Sequence, residues 1–147
     1  MVHKVYLGLG SNMGNREQLL HDAIALIGER VGTVTRQSSF IETEPWGYES
    51  ENKYLNAVIL TETDKTPREV LLLTQQIERD LGRTTKSVTS HLSPLTSHLY
   101  KDRPIDIDIL LFDDITIDEP DLKIPHPLMK ERDFVMIPLR EIMNYEL

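Results

Sequence analysis

Two stretches of helical spacing, each with its own start signal and each enclosed by strand formers, limit the folds open to this chain. In the first, Leu19, Leu20, Ala23, Ile24 and Ile27 recur on one side of a helix predicted over 16–30, with Asn15 capping its opening turn and Gly32 as a stop signal. In the second, Thr66-Pro67-Arg68-Glu69 is a reciprocal capping pattern with Pro at the first helical position. The expected buried stripe of that helix is Val70, Leu73, Ile77 and Leu81, and Gly82 stands where a left-handed terminal residue is wanted. Residues 2–9, 33–43, 54–62 and 105–112 are rich in β-branched and aromatic residues and read as strands.

The resulting order of strand, helix, strand, strand, helix, strand is the split βαβ pattern of a ferredoxin-like α+β fold with an antiparallel sheet. Residues 83–103, rich in Ser, Thr and His, make a long loop before the last core strand, and loops of that length in a compact domain commonly carry function. A Pro-punctuated tail follows, with a short helical stretch expected near 129–142. The 147 residues, 39% hydrophobic and 27% charged, are enough for one domain over 1–147 with a core of its own. There is no Cys, so disulfides, thiolate metal sites and a Cys nucleophile are excluded. No apolar run can span a bilayer and no signal region opens the chain, so a cytoplasmic protein without membrane contact is expected. With 24 acidic against 16 basic residues the net charge is -8, which disfavours a nucleic-acid partner. A phosphate-bearing substrate would then need a metal or a focused cationic site.

The strongest chemical signal is Ile105-Asp106-Ile107-Asp108-Ile109. Residues i and i+2 of a strand share a face, so both carboxylates leave one side, about 7 Å apart at Cα. Leu110 and Phe112 continue that face, which predicts burial on both sides, where unpaired carboxylates are costly; the alternative is the polar face of an edge strand. A hard Mg²⁺ ion offsets the cost, taking one or two carboxylates plus phosphate oxygens and water. Arg103 upstream can face a phosphate, and His126 with Lys130 and Arg132 adds further donors. Glu44-Pro45-Trp46-Gly47-Tyr48 and Tyr54-Leu55-Asn56 gather aromatic faces and one amide, suited to a flat heterocycle, although core roles for Trp46 and Tyr54 fit composition equally. Gly8-Leu9-Gly10-Ser11-Asn12 lacks dinucleotide-loop spacing and reads as a turn ending the first strand. His91 and His98 receive no role.

Taken in order, Tyr6 to Asn15, Ser39-Phe40 to Pro45, Tyr54-Leu55-Asn56-Ala57, Ile77-Glu78 to Gly82-Arg83, Arg103 to Leu110, and Pro125-His126-Pro127 to Phe134-Val135 resemble the 6-hydroxymethyl-7,8-dihydropterin pyrophosphokinase family over nearly the whole chain. The resemblance implies transfer of diphosphate from ATP, the co-substrate, to the pterin hydroxymethyl group in folate biosynthesis, giving AMP. It implies that Asp106 and Asp108 hold two Mg²⁺ ions. Arg83 and Arg103 join them as catalytic residues. Thr43, Pro45, Trp46, Tyr54, Asn56 and Phe134 would take the pterin, and Gln75, Glu78, Lys86, Tyr100, Ile109, His126 and Arg132 the nucleotide. A monomer acting on these two small molecules is expected. The chain departs from the family where Leu99-Tyr100-Lys101-Asp102-Arg103 replaces an Arg-Trp-Gly-Pro-Arg stretch, where segment 87–98 lengthens the loop, and where Asp121 replaces a basic nucleotide contact. Those changes motivate a second reading, a pterin- or nucleotide-binding relative with weak or no turnover. An RNA-binding domain of the same fold is disfavoured, since the strands lack a basic, aromatic platform.

Overall fold

The computed structural model describes residues 2–43, 53–82 and 104–143. Strand β1 (His3–Ser11) leads to α1 (Arg16–Arg30), then β2 (Thr33–Gln37), β3 (Ile41–Thr43), β4 (Tyr54–Thr63), α2 (Pro67–Gly82) and β5 (Asp106–Phe112). A hairpin of β6 (Ile117–Glu119) and β7 (Leu122–Ile124), a 3₁₀ turn at Met129–Glu131 and α3 (Asp133–Met143) complete it. The main sheet runs β2-β4-β1-β5, with β3 also on β4 and every pair antiparallel. This is the expected α+β order, with β1 at the centre.

Both predicted caps form. Asn15 accepts from Gln18 N–H at 3.1 Å, and at α2 the Thr66 hydroxyl accepts from Glu69 N–H (3.1 Å) while Glu69 accepts from Thr66 N–H (2.8 Å). The α2 stripe is Val70, Thr74 and Ile77, with Leu73 and Leu81 half-buried. Gly82 is the final helical residue, not a left-handed one beyond it.

The single strand expected over 33–43 is two. At the bend Ser38 N–H donates to the Val58 carbonyl and the Ser38 hydroxyl accepts from Val58 N–H, both at 2.9 Å. That hydroxyl takes a place a ladder carbonyl would otherwise fill, and Glu141 of α3 receives Ser39 N–H at 2.9 Å. The tail also holds the β6–β7 hairpin, which the sequence reading left out. Arg68 of α2 pairs with Glu119 and Asp121 there, so the acidic residue at 121 serves as an anchor.

Two apolar layers cover the sheet. Val5, Leu7, Leu9, Ile59, Ile107 and Ile109 pack under α1 and α2, and Tyr6, Val58, Leu60 and Leu110 pack against α3. A bulge corrects the expected facing of β5. Tyr6 opposes Leu111 but Leu7 opposes Ile109, so Leu110 is an extra residue. It stays with the carboxylate face, whereas Phe112 is turned to the helical side.

Beyond the bulge Asp113 fastens the end of β5 to β1, accepting from Lys4 N–H (2.7 Å) and meeting the His3 ring (2.7 Å). Desolvation works against this carboxylate, but Lys4 N–H and His3 outweigh it and hold its pKa below the ordinary 3.8. A lowered carboxyl pKa contributes stability above the ordinary value that is lost as pH falls through the lowered one. The difference in urea midpoint between the wild type and Asp113→Asn is therefore expected to be constant above about pH 5 and to shrink below pH 3.8. A difference independent of pH would contradict this.

Candidate active site

Opposed residues of antiparallel strands share a face, so the registers of β4, β1 and β5 lay side chains in rows across the sheet. One row is Asn56, Gly10 and Asp106, and the next is Val58, Gly8 and Asp108. The backbones of Asn56 and Asp106 stand two strand spacings apart, about 10 Å.

The glycines lie inside the central strand, which overturns the reading of this segment as a turn. Val5, Leu7 and Leu9 fill the helical face, and Tyr6, Gly8 and Gly10 alternate on the other. A Cβ at Gly8 would touch the Leu110 side chain at 3.4 Å; at Gly10 it would lie 2.8 Å from Asn56 Oδ1 and 3.4 Å from the Tyr54 ring. Neighbouring side chains thus lean over the bare strand, and Asn56 reaches toward β5. This period-two glycine pattern was readable in the sequence, but only with Tyr6 to Ser11 taken as strand.

Asn56 is buried (4% exposed) and its Nδ2 donates to Thr43 Oγ1 at 2.6 Å. The amide is therefore oriented, its nitrogen toward β3 and its oxygen over Gly10. Tyr54 opposes Thr43 in the β3–β4 register, so these three predicted residues meet.

Asp106 and Asp108 are half-buried on the same face. Among the described residues no group of three or more His, Asp or Glu side chains is placed to hold a metal. Two hard oxygen donors at alternate strand positions fit Mg²⁺ whose other ligands are phosphate oxygens and water.

The chain before α3 brings a hydrogen-bond donor and a cation to this face. His126 N–H donates to the Leu110 carbonyl (3.0 Å), seating the residue on β5. Leu128 N–H donates to His126 Nδ1 (3.3 Å), so the neutral ring carries its proton on Nε2. Burial pushes the ring's pKa down, the Arg132 charge adds to that, and the Asp106 carboxylate opposes both. Arg132 is itself buried, with its guanidinium 5.6 Å from the Phe134 ring centre. His126, Arg132 and Phe134 therefore lie on the carboxylate side of the sheet.

Glu78 and Ile109 stand apart, on the outer side of β5. Glu78 accepts from Ile107 N–H at 2.7 Å, between the two aspartates, and so fixes the strand that carries them. Gln75 lies three residues earlier on the same flank of α2 and is exposed. The Ile109 side chain is in the helical-side core, so only its backbone, which faces outward like that of Ile107, is available to a ligand. Pro45, Trp46, Arg83, Lys86, Tyr100 and Arg103 lie outside the described residues.

Comparison with known proteins bears on this arrangement. Residues 6–144 match the family described as 7,8-dihydro-6-hydroxymethylpterin-pyrophosphokinase (HPPK). The chain is 47% identical over 139 residues to the 2-amino-4-hydroxy-6-hydroxymethyldihydropteridine pyrophosphokinase of Porphyromonas gingivalis, covering 94% of this chain and 89% of that one. It is 44% identical over 138 residues to the protein of that name from Bacillus subtilis, covering 93% and 76%. The fold is similar to a crystal structure of Plasmodium falciparum HPPK-DHPS, with TM-score 0.75 at 17% identity, over 97% of this chain and 42% of that longer one.

Gly10→Ala tests the geometry without any ligand. It is expected to displace the Asn56 amide, shifting its side-chain NMR signals, at about 1–3 kcal/mol of stability. Unmoved Asn56 signals would contradict the packing.

Proposed function

The chain belongs to the 7,8-dihydro-6-hydroxymethylpterin-pyrophosphokinase family, and from that premise we propose that it transfers diphosphate from MgATP to 6-hydroxymethyl-7,8-dihydropterin for folate biosynthesis. Family membership supports a diphosphotransferase over the second reading of a pterin- or nucleotide-binding relative with weak or no turnover. In this reading the pterin hydroxymethyl oxygen attacks the β-phosphorus of ATP, the bond from that phosphorus to the oxygen bridging the α-phosphorus breaks, AMP leaves and the hydroxyl proton is lost.

The observation that carries the reading is the Asn56–Gly10–Asp106 row. It supports an oriented amide for the edge of a flat ring facing a carboxylate pair across the bare Gly8 and Gly10 positions of β1. The Asn56 oxygen over Gly10 is an acceptor for ring N–H and amino groups, while Tyr54 and Phe134 offer stacking faces. Asp106 and Asp108 would hold two Mg²⁺ ions, which when bound neutralise phosphate charge and polarise the phosphoryl oxygens. Neutral His126 presents an Nε2–H donor to the phosphates, and Arg132 adds fixed positive charge. The outward Ile109 backbone, beside Gln75, suits the edge of the nucleotide base. The family resemblance assigns Pro45 and Trp46 to the pterin, and Arg83, Lys86, Tyr100 and Arg103 to the nucleotide and its phosphates. The chain acts in this reading as one domain and, with ATP as donor, in the cytoplasm. No helix among the described residues is long and apolar enough to cross a membrane.

The test is AMP release requiring both Mg²⁺ and the hydroxymethyl pterin. Asp106→Ala and Asp108→Ala are expected to lower turnover by about a hundredfold or more with unchanged or raised melting temperature, since one of two neighbouring negative charges is gone. Asn56→Ala should weaken pterin binding about tenfold or more and spare ATP. Wild-type turnover from either aspartate variant, or equal losses of both ligands with Asn56→Ala, would count against these roles.

A further inference from the structure

The first residue of α1 reaches across to the pterin side of the site. Arg16 Nη1 donates to the Lys53 carbonyl at 2.8 Å, and Arg16 Nη2 lies 2.8 Å from Glu42 Oε2. One guanidinium thus ties two chain segments, Glu42 in the middle of β3 and Lys53 immediately before β4. Among the described residues β3 is three residues long and pairs with β4 alone, so few ladder bonds hold it. It carries Thr43, opposite Tyr54, and Thr43 Oγ1 holds the Asn56 amide.

We propose that Arg16 is a positioning residue for the pterin subsite: its two-armed contact ties β3 to the residue before β4, which keeps Thr43 on Asn56 and the Asn56 oxygen over Gly10. The inference rests on the proposed function for what binds there, but the clamp itself is a property of the ligand-free protein. The planar fork matters, because its donors are fixed in direction and serve a carboxylate and a carbonyl at once. A lysine has a single nitrogen for the same two oxygens. Both Arg16 and Glu42 are partly exposed, which limits the ion pair, so most of the effect comes from the two contacts acting together.

The experiment uses the full chain and fluorescence titration with 6-hydroxymethylpterin, alongside Michaelis constants for both substrates. Arg16→Gln is expected to weaken pterin binding about five- to thirtyfold while leaving the ATP constant within about twofold. Arg16→Lys should recover part of the loss, and Glu42→Gln, which removes one arm only, should weaken pterin about two- to fivefold. Without ligand, Arg16→Gln should shift the Asn56 side-chain amide signals. Unchanged pterin affinity together with unmoved Asn56 signals would overturn the proposal, as would equal losses for pterin and ATP, which mark a merely structural role. If the wild type fails to bind pterin, the proposed function falls and the positioning role with it, whereas wild-type binding with an indifferent Arg16→Gln sinks the positioning role alone. Should Arg16→Gln not fold, Glu42→Gln decides by the same criteria.

Discussion

The close approach of Asn56 to the backbone of Gly10 is the constraint on which the site depends. A central strand with ordinary side chains on both faces would separate β4 from β5 by a ridge. Here the face opposite α1 and α2 carries Gly8 and Gly10, and a methyl group at Gly10 would stand 2.8 Å from the Asn56 oxygen. The bare strand lets an amide on one neighbour and carboxylates on the other look across about 10 Å of backbone, the scale of a small ring with phosphates attached. The opposite face of the same strand, Val5, Leu7 and Leu9, is core. Removing side chains from one face therefore leaves the helical-side packing intact.

The two edges of this arrangement are held by different means. On the β5 side, Glu78 takes the Ile107 amide, the bulge at Leu110 turns Phe112 into the core, and Asp113 locks the far end to β1. Each acts on the strand that carries Asp106 and Asp108. On the β4 side, Ser38 and Glu141 pin the bend between β2 and β3, and Arg16 ties the middle of β3 to the residue before β4. The chain is acidic overall, and the donors beside the site, the neutral His126 ring and the Arg132 guanidinium, come from the segment leading into α3. A polyphosphate thus meets a local balance of charge unlike the average.

Much of this was legible in the residues, for identifiable reasons. The α1 and α2 starts were read correctly because capping is local chemistry: Asn15, and the Thr66–Glu69 pair, need only their own backbone. The Asp pair was legible because period two is enforced by any strand. What failed was decided at a distance. The Gly8–Gly10 segment read as a turn because glycine is a strong local breaker, and its place inside β1 is set by pairing with β4 and β5. The Phe112 facing was misread because a bulge depends on the partner register. The break at Ser38 depends on Val58, and the role of Asp121 on Arg68, residues far away in the chain. Glu78 was marked by resemblance as a nucleotide residue, and its bond to Ile107 adds a structural task that no local pattern announces.

The central claim is that the amide on β4 and the carboxylates on β5 address one common space. Paramagnetic relaxation by Mn²⁺ with a non-hydrolysable ATP analogue measures this directly, because broadening falls steeply with distance from the ion. The account predicts strong broadening at Asp106 to Ile109, clear broadening of the Asn56 side-chain amide, and little effect on the acidic hairpin residues Asp118, Glu119 and Asp121. Broadening centred on that hairpin, with Asn56 untouched, would contradict it.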